Sequence, residues 1–334
     1  MALQDAWQSA VLKNNVQFMR YEAGLRQQIL DMVDQLGRDL VADLANGGLE
    51  TPRTDWQRAR LRNLIAEAEK TVGTAYEDIA AVQNDGLSQG VKVSTQNLVA
   101  AMNEAAGVEV LAGVKWTPAL LKALVDGTLT NGAPSAEWWG RQAADLVQAF
   151  QDQMRQAMLQ GENLGSMVAR LKDLMLTRTR QAEALVRTSA MAVNNAAQLA
   201  TWTENASEGD LLQWDATLDP KTCLVCGAMD GQQWPVGEPH ETAPLHWNCR
   251  CGVVPVASMW MKLGIERPAA QRAARGGPVD QGTTWEQWLG SLPKAEQQDI
   301  LGPARWKLWD SGKLTLRDLV DQRGNVLTLE QLAG

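Results

Sequence analysis

The four cysteines and both histidines of this 334-residue chain fall within 29 residues, reading Cys223-Leu-Val-Cys226, then His240, then His246-Trp-Asn-Cys249-Arg-Cys251. Thiolate sulfur and imidazole nitrogen are zinc ligands. Two ligand pairs roughly twenty residues apart match a structural site in which each pair sits on its own tight turn and the ion clamps the intervening loop. Cys223 and Cys226 form the firm half, because a CxxC turn aims two sulfurs and several backbone N–H groups at one point. The second half is ambiguous. His246 and Cys249 repeat the two-residue gap, whereas Cys249 and Cys251 alternate along an extended strand and project to one face. The ligand set adopted is Cys223, Cys226, His246 and Cys249, with Cys251 in place of His246 as the alternative; His240 is read as a loop residue.

A structural zinc ion would matter energetically, since apparent binding energies of about 10–16 kcal/mol rival the stability of a whole domain, about 5–15 kcal/mol. Free buried thiols and disulfides are the competing readings. A catalytic zinc fits less well, because such sites pair three protein ligands with an open water position and a nearby base. The sequence has no phosphate-cradling glycine loop, no HExxH helix and no GxSxG elbow. No catalytic or cofactor-binding residues are assigned beyond the metal ligands, and the chain is expected not to be an enzyme.

The elements that must carry this cluster follow from hydrophobic spacing. Phe18, Leu25, Ile29, Val33, Leu36, Leu40 and Leu44 make one stripe of a long helix ending at Asn46-Gly47-Gly48. A second helix, capped by Thr54 or Asp55, is predicted through Leu61, Leu64, Ile65 and Ala68 to about Asp85-Gly86, and a third from about Ser94 to Ala106. Narrow stripes and abundant Gln give this region the profile of a helical hairpin or bundle arm. A short helix follows Thr117-Pro118, and the stretch from Gly127 to Pro134 is the best boundary on composition. Trp139, Leu146, Phe150 and Met154 then mark a helix from Ser135 to about Gln160, closed by Gly161. Two more are predicted, Asn163 to Met175 and about Thr177 to Glu204. Past Gly209, Leu211 to Trp214 alternates like a strand, turns follow, and Cys251 to Pro255 reads as a last strand. Lys262 to Asp280 reads as a linker, with a final helical unit from near Thr283.

A formal charge of -8 argues against wholesale wrapping of nucleic acid. The 14 Trp against 2 Phe and 2 Tyr suit interfaces between subunits as well as ordinary core packing. No run of 18 apolar residues and no signal-peptide pattern occurs, so a cytoplasmic product with no membrane association is expected.

The order of these features resembles the phage Mu F-like minor head protein, or phage head morphogenesis, family. The likeness is carried by Leu185-Val-Arg187-Thr188 on a long helix, the Trp214 strand, Asp219-Pro-Lys-Thr-Cys223-Leu-Val-Cys226, Met229-Asp-Gly231 and Pro244-Leu-His246-Trp-Asn-Cys249-Arg-Cys251, with Trp285-Glu-Gln-Trp288 in the closing segment. Ser189 stands where the family commonly has an acidic residue, and Trp247 where it commonly has proline. The resemblance implies a low-copy virion component near the portal vertex, partnered by the portal and major capsid proteins and by scaffold. It implies a place in the host cytoplasm during assembly and in the virion head afterwards. Contact with packaged DNA is compatible with it but is not indicated by the charge. Arg187 and Asp219 are expected to form a buried pair tying helix to strand.

The expected fold is mainly α with a small α+β zinc-stabilised core. Its parts are an extended N-terminal helical region (1–133), a Mu F-like core of helices and short strands carrying the metal site (134–256), a linker (257–282) and a helical C-terminal segment (283–334). Two other functions compete. One is a phage-encoded enzyme, such as a toxin-like nuclease or a protein acting on nucleotides. The other is a zinc-dependent nucleic-acid-binding module, against which the acidic surroundings of the cysteines weigh.

Overall fold

The computed structural model describes residues 2–46, 55–109, 111–206, 210–256, 271–272, 274–280, 282–321 and 324–333. It is mainly helical, 69% helix with a few short strands. No helix among the described residues is long and apolar enough to cross a membrane. The chain divides into two compact units, one of residues 18–92 and 116–193, the other of residues 1–17, 93–115 and 194–334.

The first unit is built from long helices: α1 (Ala2–Asn46), α2 (Asp55–Ala106), α3 (Pro118–Gly127), α4 (Ser135–Gln160) and α5 (Leu164–Asn205), of which α1, α2 and α5 also contribute residues to the second unit. All seven stripe residues of α1 are buried, facing inward with Leu61, Ile79, Leu146 and Leu171. Thr117 caps α3 by accepting the Leu120 N–H at 3.2 Å, and Gly161 ends α4 in the left-handed conformation. The stretch from Gly127 to Pro134 contains a small hairpin, β1 (Leu129–Thr130) with β2 (Ala133–Pro134), turning at Asn131 and Gly132 with φ of 49° and 87°.

Two helix breaks predicted from the sequence are absent. α2 runs unbroken through Gly86 and Gly90, because both glycines serve packing. A Cβ on Gly86 would stand 2.5 Å from Leu25 Cδ1, and one on Gly90 2.6 Å from the Tyr21 ring. Tyr21 then donates its hydroxyl to the Gly86 carbonyl at 2.7 Å. α5 likewise continues across Met175-Leu176-Thr177, where neither glycine nor proline interrupts the backbone ladder.

The second unit is organised around strand β3 (Leu211–Asp215), the centre of an antiparallel sheet in the order β4-β3-β5, with β4 at Gln233–Pro235 and β5 at Gly252–Val256. Register pairs Trp214 with Val253, and the inward residues Leu212 and Trp214 are fully buried. Helix α6 (Leu224–Met229) sends its buried Cys226 into the same core as Leu212 and Trp214. The C-terminal helices α7 (Trp285–Ser291), α8 (Lys294–Leu301) and α9 (Pro303–Asp310) follow, then a 3-10 turn (Arg317–Leu319) and α10 (Leu329–Ala333). Thr284 and Gln287 form a capping box at the start of α7, and Trp285 and Trp288 enter the core.

Of the segment read as a linker, residues 257–270 lie outside the described residues. The following stretch is structured instead. Strand β6 (Gln271–Arg272) pairs with β7 (Val279–Asp280), and Arg272 is buried against Asp230. Asp230 explains why this holds: its carboxylate accepts the Ala216 N–H at 2.7 Å, the Trp285 N–H at 2.6 Å and the Arg272 guanidinium at 2.8 Å. One buried acid thus ties β3, the β6–β7 hairpin and α7 together, with the charge matched by Arg272.

Candidate metal centre

Each ligand loop is shaped by local hydrogen bonds. Asp219 accepts the backbone N–H groups of Lys221 and Thr222 at 2.8 and 3.2 Å, the geometry of a side-chain-closed turn. This turn delivers Cys223 to the N-cap of α6, where its sulfur accepts the Cys226 N–H at 3.4 Å. In the other loop the Cys249 N–H bonds the His246 carbonyl at 3.1 Å around Asn248, which takes a left-handed φ of 62° that Asn tolerates.

Two anchors hold the loops against each other. Arg250 points away from its cysteine neighbours and grips Asp219, with Nη2 to Oδ1 at 2.7 Å. From α5, the Asn195 amide donates to the carbonyls of Ala243 and Cys251 at 3.2 and 3.1 Å. The expected pairing of Arg187 with Asp219 is not found. Asp219 is taken by Arg250, while Arg187 bonds Glu183 one turn away on its own helix at 2.9 Å. Arg250 lies within the ligand loop itself, between Cys249 and Cys251, and that loop meets the turn that Asp219 closes.

All five sulfur and nitrogen donors considered from the sequence converge. Cys223 Sγ and Cys226 Sγ lie 3.2 and 3.4 Å from His246 Nε2, and Cys226 Sγ lies 3.8 Å from Cys249 Sγ. They form two triads that share Cys226: Cys223, Cys226 and His246 on one side, Cys226, Cys249 and Cys251 on the other. His240 stands outside both triads. Its Nδ1 meets the Glu238 carbonyl at 2.9 Å and its ring lies 5.6 Å from Trp234.

These residues fit a thiolate-bound ion. A tetrahedral site with sulfur about 2.3 Å from zinc puts its sulfurs roughly 3.8 Å apart, the Cys226–Cys249 spacing. His246 Nδ1 faces the Trp247 carbonyl at 2.9 Å, which assigns the proton to Nδ1 and leaves Nε2 for the sulfur side. All four cysteines are free thiols. The donors also compete for protons. The Cys223 thiol is lowered to about 4, first by its hydrogen bond with Cys226 and then by His246, while burial opposes the shift. His246 is raised to about 11, first by Cys223 and then by Cys249. Cys226 is raised, first by Cys223 and then by Cys249 and Cys251, while Cys249 is lowered, first by Cys226. A divalent cation would displace these shared protons, since its ligands bind deprotonated.

Cys226, Cys249 and Cys251 are buried, whereas Cys223 and His246 reach the wall of a cleft of about 900 Å3 lined also by Val225, Met229, Leu245 and Arg317. Asp219 is the other ionisable group with a defined role. Burial would raise its carboxyl, but the Arg250 hydrogen bond and charge, with the Lys221 and Thr222 N–H groups, outweigh that and hold it below the usual range.

Comparison with known proteins bears on this same region. Residues 148–254 match the family described as Phage Mu protein F like protein. The Mu F-like segment begins within α4 and ends within β5, so it contains every donor of the cluster as well as Asp219, Arg250 and Asn195. No curated protein and no solved structure matches the chain. Sequence reading missed Asn195 and the Asp230–Arg272 pair. Asn195 has no signal beyond its place on a long helix, and Arg272 lies in a segment whose composition resembles a linker.

Proposed function

We propose that this chain is a minor head protein of a tailed phage or prophage, a low-copy component near the portal vertex that assists procapsid assembly, DNA packaging or delivery. Its partners are the portal and major capsid proteins, with scaffold during assembly, and it acts in the host cytoplasm and then in the virion head. Zinc, bound by Cys223, Cys226, His246 and Cys249, holds the fold and performs no chemistry. The observation that carries this reading is that the Mu F-like match encloses the whole donor cluster. A thiolate-rich ligand set also suits a closed structural site and makes a poor Lewis acid for hydrolysis.

Co-expression with the portal and major capsid proteins of the same phage tests it. The chain should co-purify with procapsids in substoichiometric amount, and its absence from those particles contradicts the reading. The cleft beside Cys223 and His246 favours a second reading, a metal-dependent enzyme acting on nucleic acid or nucleotides. Metal-dependent turnover in nuclease or NAD-glycohydrolase assays of the purified protein would support that alternative.

A further inference from the structure

The cleft of about 900 Å3 beside Cys223 and His246 combines apolar side chains with an acidic wall. It lies wholly within the second unit. Helix α6 supplies Val225, Ala228 and Met229, the second ligand loop supplies Leu245, and the end of the 3-10 turn supplies Val320. The chain after that turn meets the helix at Gly324, which has a left-handed φ of 77° and where a Cβ would stand 3.6 Å from Val225 Cγ1.

Charge decides what this cleft can hold. Apart from the donors Cys223 and His246, its charged side chains among the described residues are Glu241, Asp318, Asp321 and Arg317. No ion pair joins Arg317 to Glu241 or Asp318 among the described residues. Asp318 accepts the Thr315 hydroxyl and N–H at 2.7 and 2.8 Å, bonds that hold its carboxyl below the usual range and keep it ionised at neutral pH. Asp321 accepts the Asn325 N–H and side-chain amide at 2.7 and 3.0 Å, donors that carry no charge. A metal ion in the wall adds no net positive charge, since a divalent cation on three thiolates and an imidazole is anionic overall.

Such a wall repels phosphate groups. A second copy is a poor occupant as well, because the whole chain carries a formal charge of -8. The apolar side chains call for apolar contact, and the carboxylates call for cations next to it. A peptide segment that mixes apolar residues with Lys or Arg supplies both. We propose that this cleft docks a basic, apolar peptide segment of a partner protein, with its apolar side chains against Val225, Met229 and Leu245 and its cations facing Glu241 and Asp318. The proposal rests on the assembly reading for the source of that partner. Binding is measured on the purified chain, so its failure is distinct from absence of the chain from procapsids.

The test uses the full chain in its metal-loaded form and a fluorescein-labelled peptide of alternating lysine and leucine, followed by anisotropy. Control peptides replace lysine with glutamate or leucine with serine. The lysine and leucine peptide should bind saturably at low salt and more weakly as salt is raised. Both controls should bind about tenfold more weakly or worse, and Glu241→Lys and Ala228→Arg should each weaken binding about fivefold or more. Glu241 is exposed, so its variant keeps the test decisive if Ala228→Arg does not fold. Equal binding of the glutamate peptide, affinity unchanged in Glu241→Lys, or no binding at low salt would overturn the proposal. So would tighter binding of a single-stranded DNA oligonucleotide, or a dimer that Ala228→Arg dissociates.

Discussion

Arg250 sits between two cysteines of one ligand loop and closes a two-point ion pair on Asp219, the residue that shapes the other loop. The two halves of the donor cluster are therefore held in register by an ion pair as well as by any metal. Both side chains are largely buried, 28% and 20% exposed, so the pair is screened less than one on the open surface. Removing one partner should matter more than the pair's net worth, because the remaining charge stays partly buried. Arg250→Met is expected to destabilise the second unit by about 2 kcal/mol, the scale of a hydrogen bond to a charged group. Urea unfolding of the metal-loaded protein measures it, and an unchanged midpoint would show the pair to be incidental.

The same pair sets a pH dependence. The Asp219 carboxyl is held below its unfolded value, so its contribution is fully present above the ordinary carboxylate range, about pH 4, and is lost as the pH falls further through its depressed folded value. Metal release in acid would mask this in the wild type alone. Comparison with Asp219→Asn isolates it: the stability gap between the two proteins should be constant from pH 5 to 7 and should shrink below about pH 4. A gap that widens in acid has the wrong sign for this assignment.

Metal content separates the ligand assignments. Cys226 belongs to both triads, so Cys226→Ser should lose the ion under any choice of four donors. With Cys223, Cys226, His246 and Cys249 as ligands, Cys223→Ser should also lose it and Cys251→Ser should retain it, as read by elemental analysis of the purified chains. The reverse outcome at Cys251 and His246 would select the alternative set. Chelation should then unfold the second unit, removing binding energy on the order of 10 kcal/mol.

Much of this architecture was legible because single-residue chemistry decided it. The α1 stripe from Phe18 to Leu44, the Gly161 stop and the strand through Trp214 each follow from local periodicity or backbone freedom, and each is found in place. The convergence of the five donors was also readable, since CxxC and HxxC spacings bring ligands together over short distances. Long-range pairings were not. Asp219 is expected from the sequence to pair with Arg187, and only the fold reveals Arg250 as its partner. Arg272 lies in an Ala-, Arg-, Gly- and Pro-rich stretch whose composition says linker, yet the carboxylates of Asp230 and Asp215 hold it buried. Gly86 misled for a related reason: a glycine that ends a helix and one that admits a neighbouring side chain look alike in sequence.

Asp230 should be the most sensitive polar residue of the second unit. It is completely buried and accepts from two backbone N–H groups and Arg272. Asp230→Ala strands two buried N–H donors and leaves Arg272 with Asp215, 3.0 Å away, as its remaining acidic partner, a loss of about 3 kcal/mol. Limited proteolysis should then cut near the β6–β7 hairpin, which the wild type protects. Resistance equal to wild type would mean that the hairpin is held by other contacts.

The glycines of α2 offer a test in which propensity and packing oppose each other. On helix propensity alone, Ala is favoured over Gly by about 1 kcal/mol at any interior position. At Gly73 a Cβ would meet nothing within 4 Å, so Gly73→Ala should stabilise the chain by up to that amount. At Gly90 the new methyl would strike the Tyr21 ring, whose hydroxyl is already committed to the Gly86 carbonyl and which cannot swing aside without breaking that bond. Overpacking of this kind costs about 1–3 kcal/mol, enough to reverse the propensity gain. Thermal midpoints of the two variants should therefore move in opposite directions, Gly73→Ala upward and Gly90→Ala downward. The double variant Tyr21→Leu with Gly90→Ala should recover part of the loss, because the flexible leucine can yield where the ring cannot. A stabilising Gly90→Ala would mean that α1 and α2 do not approach as closely as the Tyr21 contact requires.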